Sequence, residues 1–239
     1  VLNLKFDNWV YNRLSEPFPE EDVKFRSGGR DLIMAYIDAR LVVQRLNEVV
    51  GAGNWADTYS PVSISETIVL SLDAEGKVLK KPKYKEDYLQ REFRQYYDGI
   101  RCQLRVLDIQ KEDIGSPSYA DHLKGATSDS LKRAAVKFGV GAYLYELKGL
   151  KGVTDSYGNV IEVTNYPDWA LPVERPDPKE PVMALIEKVR NSDLAESDRI
   201  RAENIISNIM VMGRYDATAP MVVTRAVYEG LLELTGSGE

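Results

Sequence analysis

SPSYADHLKGATSDSLKRAAVKFGVGAYLYEL, residues 116–147, is the stretch on which the fold of this chain turns. Ser116 or Ser118 suits a helix N-cap, and Pro117 suits the first turn. Asp121 stands three residues after Ser118 in a capping-box arrangement. At about 100° per residue, Leu123, Thr127, Leu131, Ala134, Ala135 and Phe138 fall on one side. Lys132, Arg133 and Lys137 spread around the other, with Asp129 among them. Gly139 stands where a left-handed cap would close the run. The spacing thus predicts a helix over 117–138, followed from Gly141 by the apolar-aromatic AYLYEL. On the basic residues alone, an amphipathic core helix with a solvated face is favoured over a binding surface; the order of residues bears the other way.

Upstream of this helix the apolar period is two. Ile100, Cys102, Leu104 and Val106 share one strand face, and Arg101, Gln103 and Arg105 share the other, in a strand read over Ile100–Ile109. Donors on alternate residues stand about 6.5–7 Å apart, close to the phosphate spacing of an extended strand. Tyr88–Tyr97 is aromatic-rich and strand-like, and Asp98-Gly99 reads as a hairpin turn or, with a slight preference, a bulge. Val62, Ile64, Ile68, Leu70 and Leu72 mark an earlier half-buried strand, closed by a turn at Asp73–Lys77. Between the strands, Lys80, Lys81, Lys83 and Lys85 alternate with Pro82 and Tyr84; this suits an arm on a single strand or a solvated loop equally. Nearer the N-terminus, a short strand is expected around Val23–Phe25, before Gly28-Gly29. A helix is expected over 31–50, with Leu32, Tyr36, Ala39, Val43, Leu46 and Val50 as its buried stripe and Arg40, Gln44, Arg45 and Asn47 off it. Gly51 ends that helix, and Trp55 reads as a core anchor.

Beyond Leu147 the sequence predicts a turn at Tyr157–Asn159. PDPKEP, from Pro176, reads as a linker, and helical spacing returns over 181–212 and 219–234, with Met183, Ile186, Val189, Ile205, Ile209 and Met212 as apolar positions. This divides the chain into a core, 1–175, and an acidic helical region, 176–239.

The formal net charge of −6 conceals its distribution. Residues 1–76 carry −5, residues 77–151 carry +6, and residues 152–239 carry −7. Local potential governs phosphate binding, and the signature helix lies inside the basic island. No apolar run approaches the ~20 residues of a membrane span, and no secretory pattern precedes the first strand; a cytoplasmic, nucleoid-associated protein is expected. With 239 residues, one cysteine and one histidine, neither an internal disulfide nor a Cys/His zinc site can form within the chain. Cys102 reads as core rather than nucleophile. No phosphate-loop motif is present, and RSGGRD is too short for a dinucleotide fingerprint. The carboxylate runs Glu20–Asp22 and Glu112–Asp113 keep a metal-dependent nuclease open as an alternative, beside an oligomeric scaffold whose basic island binds a protein partner.

The order of residues in GATSDSLKRAAVKFGVGAYLY resembles the signature helix of the Rad-fifty-two-type single-strand annealing proteins, most closely their bacterial and phage DdrA branch. NEVVGAGNW (Asn47–Trp55) and PDWALP (Pro167–Pro172) match the same family, so the resemblance spans roughly residues 14–172. It implies an α+β fold in which an antiparallel sheet, over 57–72 and 88–110, is crossed by a long basic amphipathic helix, with a helical C-terminal appendage. It also implies a ring of subunits, no cofactor and no catalytic centre. The implied activity is ATP-independent single-stranded DNA binding, with strand annealing or 3′-end protection in recombination and repair. Other recombination or repair proteins would be further partners. Lys132 and Arg133 occupy the family's phosphate-contacting positions. Val136 replaces a further arginine of the eukaryotic branch, with Lys137 beside it but about 100° away around the helix. Arg40 lies within a residue of another basic position of the groove. The candidate contacts are thus Lys132, Arg133, Lys137 and Lys124 on the helix, Arg101 and Arg105 on the strand, Arg40, and Lys81, Lys83 and Lys85 in the arm.

Overall fold

Two long strands, β3 (Trp55–Leu72) and β4 (Leu89–Val106), pair antiparallel along their whole length, and β5 (Ile109–Gly115) adds to β4 over Ile100–Val106. This is a computed structural model that describes residues 2–29, 32–73, 76–78, 89–117, 122–173, 179–212, 214–216 and 218–236. Before the sheet come α1 (Asn8–Leu14), the hairpin β1 (Lys24–Gly29) and β2 (Leu32–Tyr36), and α2 (Ala39–Val49). After it come α3 (His122–Val136), a 3-10 turn at Ala142–Tyr145, and the hairpin β6 (Gly152–Thr154) and β7 (Val160–Val163). The C-terminal part holds α4 (Lys179–Arg190), α5 (Glu196–Ile206), the short hairpin β8 (Met210–Val211) and β9 (Arg214–Tyr215), and α6 (Met221–Leu234). The chain is therefore α+β with antiparallel sheets.

The core follows the two periods read from the sequence. Cys102, Leu104 and Val106 are buried on one face of β4, and Leu131, Ala134, Ala135 and Phe138 of the helical segment pack into the same cluster. Gly51 and Gly139, at φ of 88° and 98°, close α2 and the α3 segment where expected. Trp55 packs against this cluster and donates its indole N–H to Asn47 Oδ1 at 2.8 Å. A second cluster, around Ile186, Ile206, Ile209 and Leu231, unites α4, α5 and α6.

Several expectations need correction. The first residues of the helix expected over 31–50 are strand: β2 pairs with β1, and α2 begins only at Ala39. Its buried face is Val42, Arg45, Leu46 and Val49, so Arg45 points inward. Asp98-Gly99 is neither turn nor bulge, because the β3–β4 register runs through it without a shift. The reversal comes instead at Leu107-Asp108, where Leu107 takes φ 55° and its N–H is fixed by Asn54 O at 2.8 Å. The residues after that turn form β5, which the sequence left as a connection. Leu123 is exposed, and the buried side of α3 begins with Ala126 and Ser130. The cause is β5: a Cβ built at Gly115 would lie 2.3 Å from Ala126 O and 2.4 Å from Ser130 N, so strand and helix meet where only small residues fit. Met212 is fully exposed at the β8–β9 turn rather than on an apolar stripe. The lysine-rich arm at 79–88, the capping pair Ser118 and Asp121, and Pro176–Pro178 of the linker lie outside the described residues.

Candidate nucleic-acid interface

Helix α3 presents a second face, away from the core. Asp129, Lys132, Arg133 and Val136 recur at steps of three and four, and with Tyr145 and the β1–β2 hairpin they line a cleft of about 290 Å³. The hairpin contributes Arg26 and Tyr36. The Lys132 amine and the Arg26 guanidinium each lie 5.9 Å from the Tyr36 ring centroid, within cation–π range. Tyr145 is largely exposed at the cleft lip. Three cations and two aromatic rings thus converge on one concave surface.

Arg133 and Lys137 are also tied to the sheet. Asp113, on β5, takes Arg133 Nε on Oδ1 at 3.1 Å and Lys137 Nζ at Oδ2, also 3.1 Å. Burial pushes the Asp113 carboxyl up, but the Ile114 N–H and the Lys137 and Arg133 partners outweigh it and hold the group below its ordinary range. Lys137 also donates to the Glu112 carbonyl. Lys111 donates to the Lys137 carbonyl and stands 4.7 Å above the Phe138 ring. This places a cation at the C-terminal end of the helix, where the dipole favours one.

The remaining candidates are dispersed. Side chains alternate along a strand, so Cys102, Leu104, Lys111 and Asp113 share the α3 side of the sheet. Arg101, Gln103, Arg105 and Glu112 point to the opposite side. There, Arg101 lies 3.9 Å from Glu112, Gln103 donates to Glu112 at 3.1 Å, and Arg105 donates to Leu107 O at 3.0 Å. The two strand arginines therefore do not line the α3 cleft. Lys137 does not replace the missing arginine either: Val136 lines the cleft, while Lys137 turns to Asp113. Lys124 is exposed in the first described turn of α3. Arg40 borders a different cleft, of about 820 Å³, between α2 and the C-terminal segment around Tyr215 and Thr224. Lys81, Lys83 and Lys85 lie outside the described residues. Arg26, Tyr36 and Tyr145 were missed by sequence reasoning. The only signal for the first two was a basic-aromatic hairpin, hidden by the helical reading of 31–50.

The candidate metal ligands do not converge. Glu112 and Asp113 are consecutive on a strand, point to opposite faces and are each engaged by cations or amides. Glu20–Asp22 forms a separate 3-10 turn. Among the described residues no group of three or more His, Cys, Asp or Glu side chains is placed to hold a metal ion. Cys102 is buried, and burial, with the charge of Asp57, pushes its thiol up to about 11, so it stays protonated at neutral pH. Among the described residues no helix is long and apolar enough to cross a membrane.

Residues 8–161, which run from α1 into β7 and include the whole cleft, match the Rad52/22 family of double-strand break repair proteins. The chain is 31% identical over 172 residues to the single-stranded DNA-binding protein DdrA of Deinococcus deserti, covering 68% of this chain and 70% of that protein. It is 30% identical over 173 residues to the protein of the same name from Deinococcus radiodurans, covering 68% of each. By the span of that match and by these two relatives, the chain belongs to the Rad52/22 family.

Proposed function

We propose that this protein binds single-stranded DNA without ATP and promotes annealing, or protects 3′ ends, in recombination and double-strand break repair. The observation that carries the reading is the cleft in which Arg26, Lys132 and Arg133 surround Tyr36 and Tyr145. Cations that follow a backbone beside rings that accept bases are what an unpaired strand requires. The cleft lies within the segment that matches the family, and the DdrA relatives are named for single-stranded DNA binding. In this reading the basic helix lies across the sheet, the protein acts by holding strands rather than by a catalytic centre, and no cofactor takes part. DNA binding resides in residues 1–175, with 176–239 an acidic helical region whose cluster is largely its own.

The reading includes a homo-oligomeric ring. Among the described residues the outer edge of β3 carries one bridge, from Leu72 to Val78, and is otherwise open, and beyond β5 the β3–β4 ribbon exposes Val69, Phe93, Tyr96 and Tyr97. Long open edges invite pairing with another chain.

Lys132→Ala and Arg133→Ala test the site. Each phosphate contact on a single strand contributes about −0.7 to the slope of log K against log salt. Each substitution should flatten the slope by about that amount and cost about 1–1.5 kcal/mol at moderate salt. Fluorescence anisotropy of a labelled oligothymidylate across a salt series measures both. Folded variants with unaltered affinity and slope would assign the basic face to solvent or to a protein partner.

A further inference from the structure

Neither Arg133, which lines the cleft, nor Lys137, which turns from it, waits empty-handed. Asp113 holds Arg133 through Nε and Lys137 through Nζ, both at 3.1 Å, so one carboxylate serves two cations on adjacent turns of the same helical segment. The side chain is fixed independently of them, because its Oδ1 accepts the Ile114 N–H at 2.7 Å. About a fifth of it is exposed, against nearly half of each partner, so solvent and solute can reach the pair. Arg133 engages through Nε, which leaves its terminal nitrogens out of that pair, and the residue also lines the cleft. A carboxylate in this position does to the two cations what a bound phosphate would do.

We propose that Asp113 is a built-in counter-ion that a strand's phosphate must displace or share, and that it limits how tightly Arg133 and Lys137 hold single-stranded DNA. This rests on reading α3 as the strand-binding element. The physical reason is charge: two cations with Asp113 offer a net single positive charge, and without it they offer two. A restrained grip suits annealing, in which a held strand must be given up to its complement. Half-exposed ion pairs are weak enough to exchange, so Asp113 moderates binding without blocking it.

The test compares Asp113→Asn with the full-length parent by anisotropy of a labelled oligothymidylate across a salt series. Asparagine keeps the oxygen that accepts the Ile114 N–H and removes the charge. The expected result is about 2–5-fold tighter binding at moderate salt and a log–log slope steeper by up to about 0.7. On an Arg133→Ala background the gain should shrink, since the two residues act as a pair. Unaltered or weaker binding by a folded Asp113→Asn variant overturns the proposal, and Asp113→Ser provides the same reading if the amide fails to fold. If Arg133→Ala and Lys137→Ala weaken binding while loss of Asp113 does not strengthen it, the counter-ion role alone falls. If neither cation affects binding, the strand-binding reading of this helix face falls with it.

Discussion

Arg45 shows what a single residue can hide from a sequence. Its position off an apolar stripe predicts exposure, yet the residue is 8% exposed and its guanidinium lies 4.2 Å over the Phe18 ring. It donates to Glu16 O at 2.6 Å and more loosely to the carbonyls of Arg13, Leu14 and Pro17. These acceptors are the open end of α1 and the turn after it, about thirty positions away, so nothing near Arg45 in the sequence announces them. Burial lowers its pKa, while Glu48 and Glu16 oppose that shift. Arg45→Met should cost about 3 kcal/mol in denaturant unfolding, because the carbonyls lose a donor that no apolar side chain replaces. Gly115 presents the opposite case, a residue needed for what it lacks. Gly115→Ala should destabilise by about 2–3 kcal/mol, since its Cβ would meet the backbone of Ala126 and Ser130 rather than a side chain that can swing away. Calorimetry or a urea titration measures both costs.

At the scale of elements, legibility followed periodicity. The signature helix and the faces of β4 were readable because each carries a clean apolar period, which burial then enforces. The turns at Asp73–Lys77 and Tyr157–Asn159 were readable from their glycines, but the one at Asp98-Gly99 was misread because that glycine serves packing. Asp98-Gly99 has hairpin chemistry, but a Cβ at Gly99 would come within 2.8 Å of Ile114 Cγ2 and 2.9 Å of Gly115 O, so this glycine admits the end of β5. Leu107-Asp108 has no such chemistry; its left-handed leucine is held by burial and by Asn54. With β5 unseen, the partner of Arg133 and Lys137 could not be foreseen, and the helix cations read as wholly available. The α3–β5 junction also carries a pH dependence. Asp113 titrates below its ordinary 3.8 in the folded chain. A carboxyl with a depressed folded pKa contributes stability above its unfolded pKa and loses it as pH falls through the folded one. Acidification from pH 5 to below about 3.8 should therefore loosen α3 from β5. Asp113→Asn should lack that component, visible as a smaller difference in unfolding free energy between the two pH values.

At the scale of the whole molecule, the basic island between acidic flanks was legible by counting, and the structure gathers part of it into one cleft. The separation of Arg101 and Arg105 onto the far side of the sheet was not legible, because an alternating pattern says that two faces exist but not which one a helix will cover. The open β3 edge and the exposed ribbon lead to the expectation that the protein is a large homo-oligomer at low micromolar concentration. Light scattering should report a mass many times that of one chain, and a clean monomer across that range would remove the ring. The C-terminal helix bears on the molecule in another way. Through Val222 it completes the first apolar cluster, and through Val227 and Leu231 the second. Its Arg225 reaches back across 218 positions to Asp7 at 2.8 Å and stacks 4.9 Å over Trp9. On a ribosome adding about 5–20 residues per second, that partner arrives on the order of 10–40 s after the helix it secures. Helix α1, already held at its C-terminal end by Arg45, thus waits for α6 to close the ion pair at its N-cap. Until that helix emerges, the Trp9 ring has Arg13 over it, at 5.2 Å, but not Arg225, so the direction of translation and the direction of closure run opposite to each other.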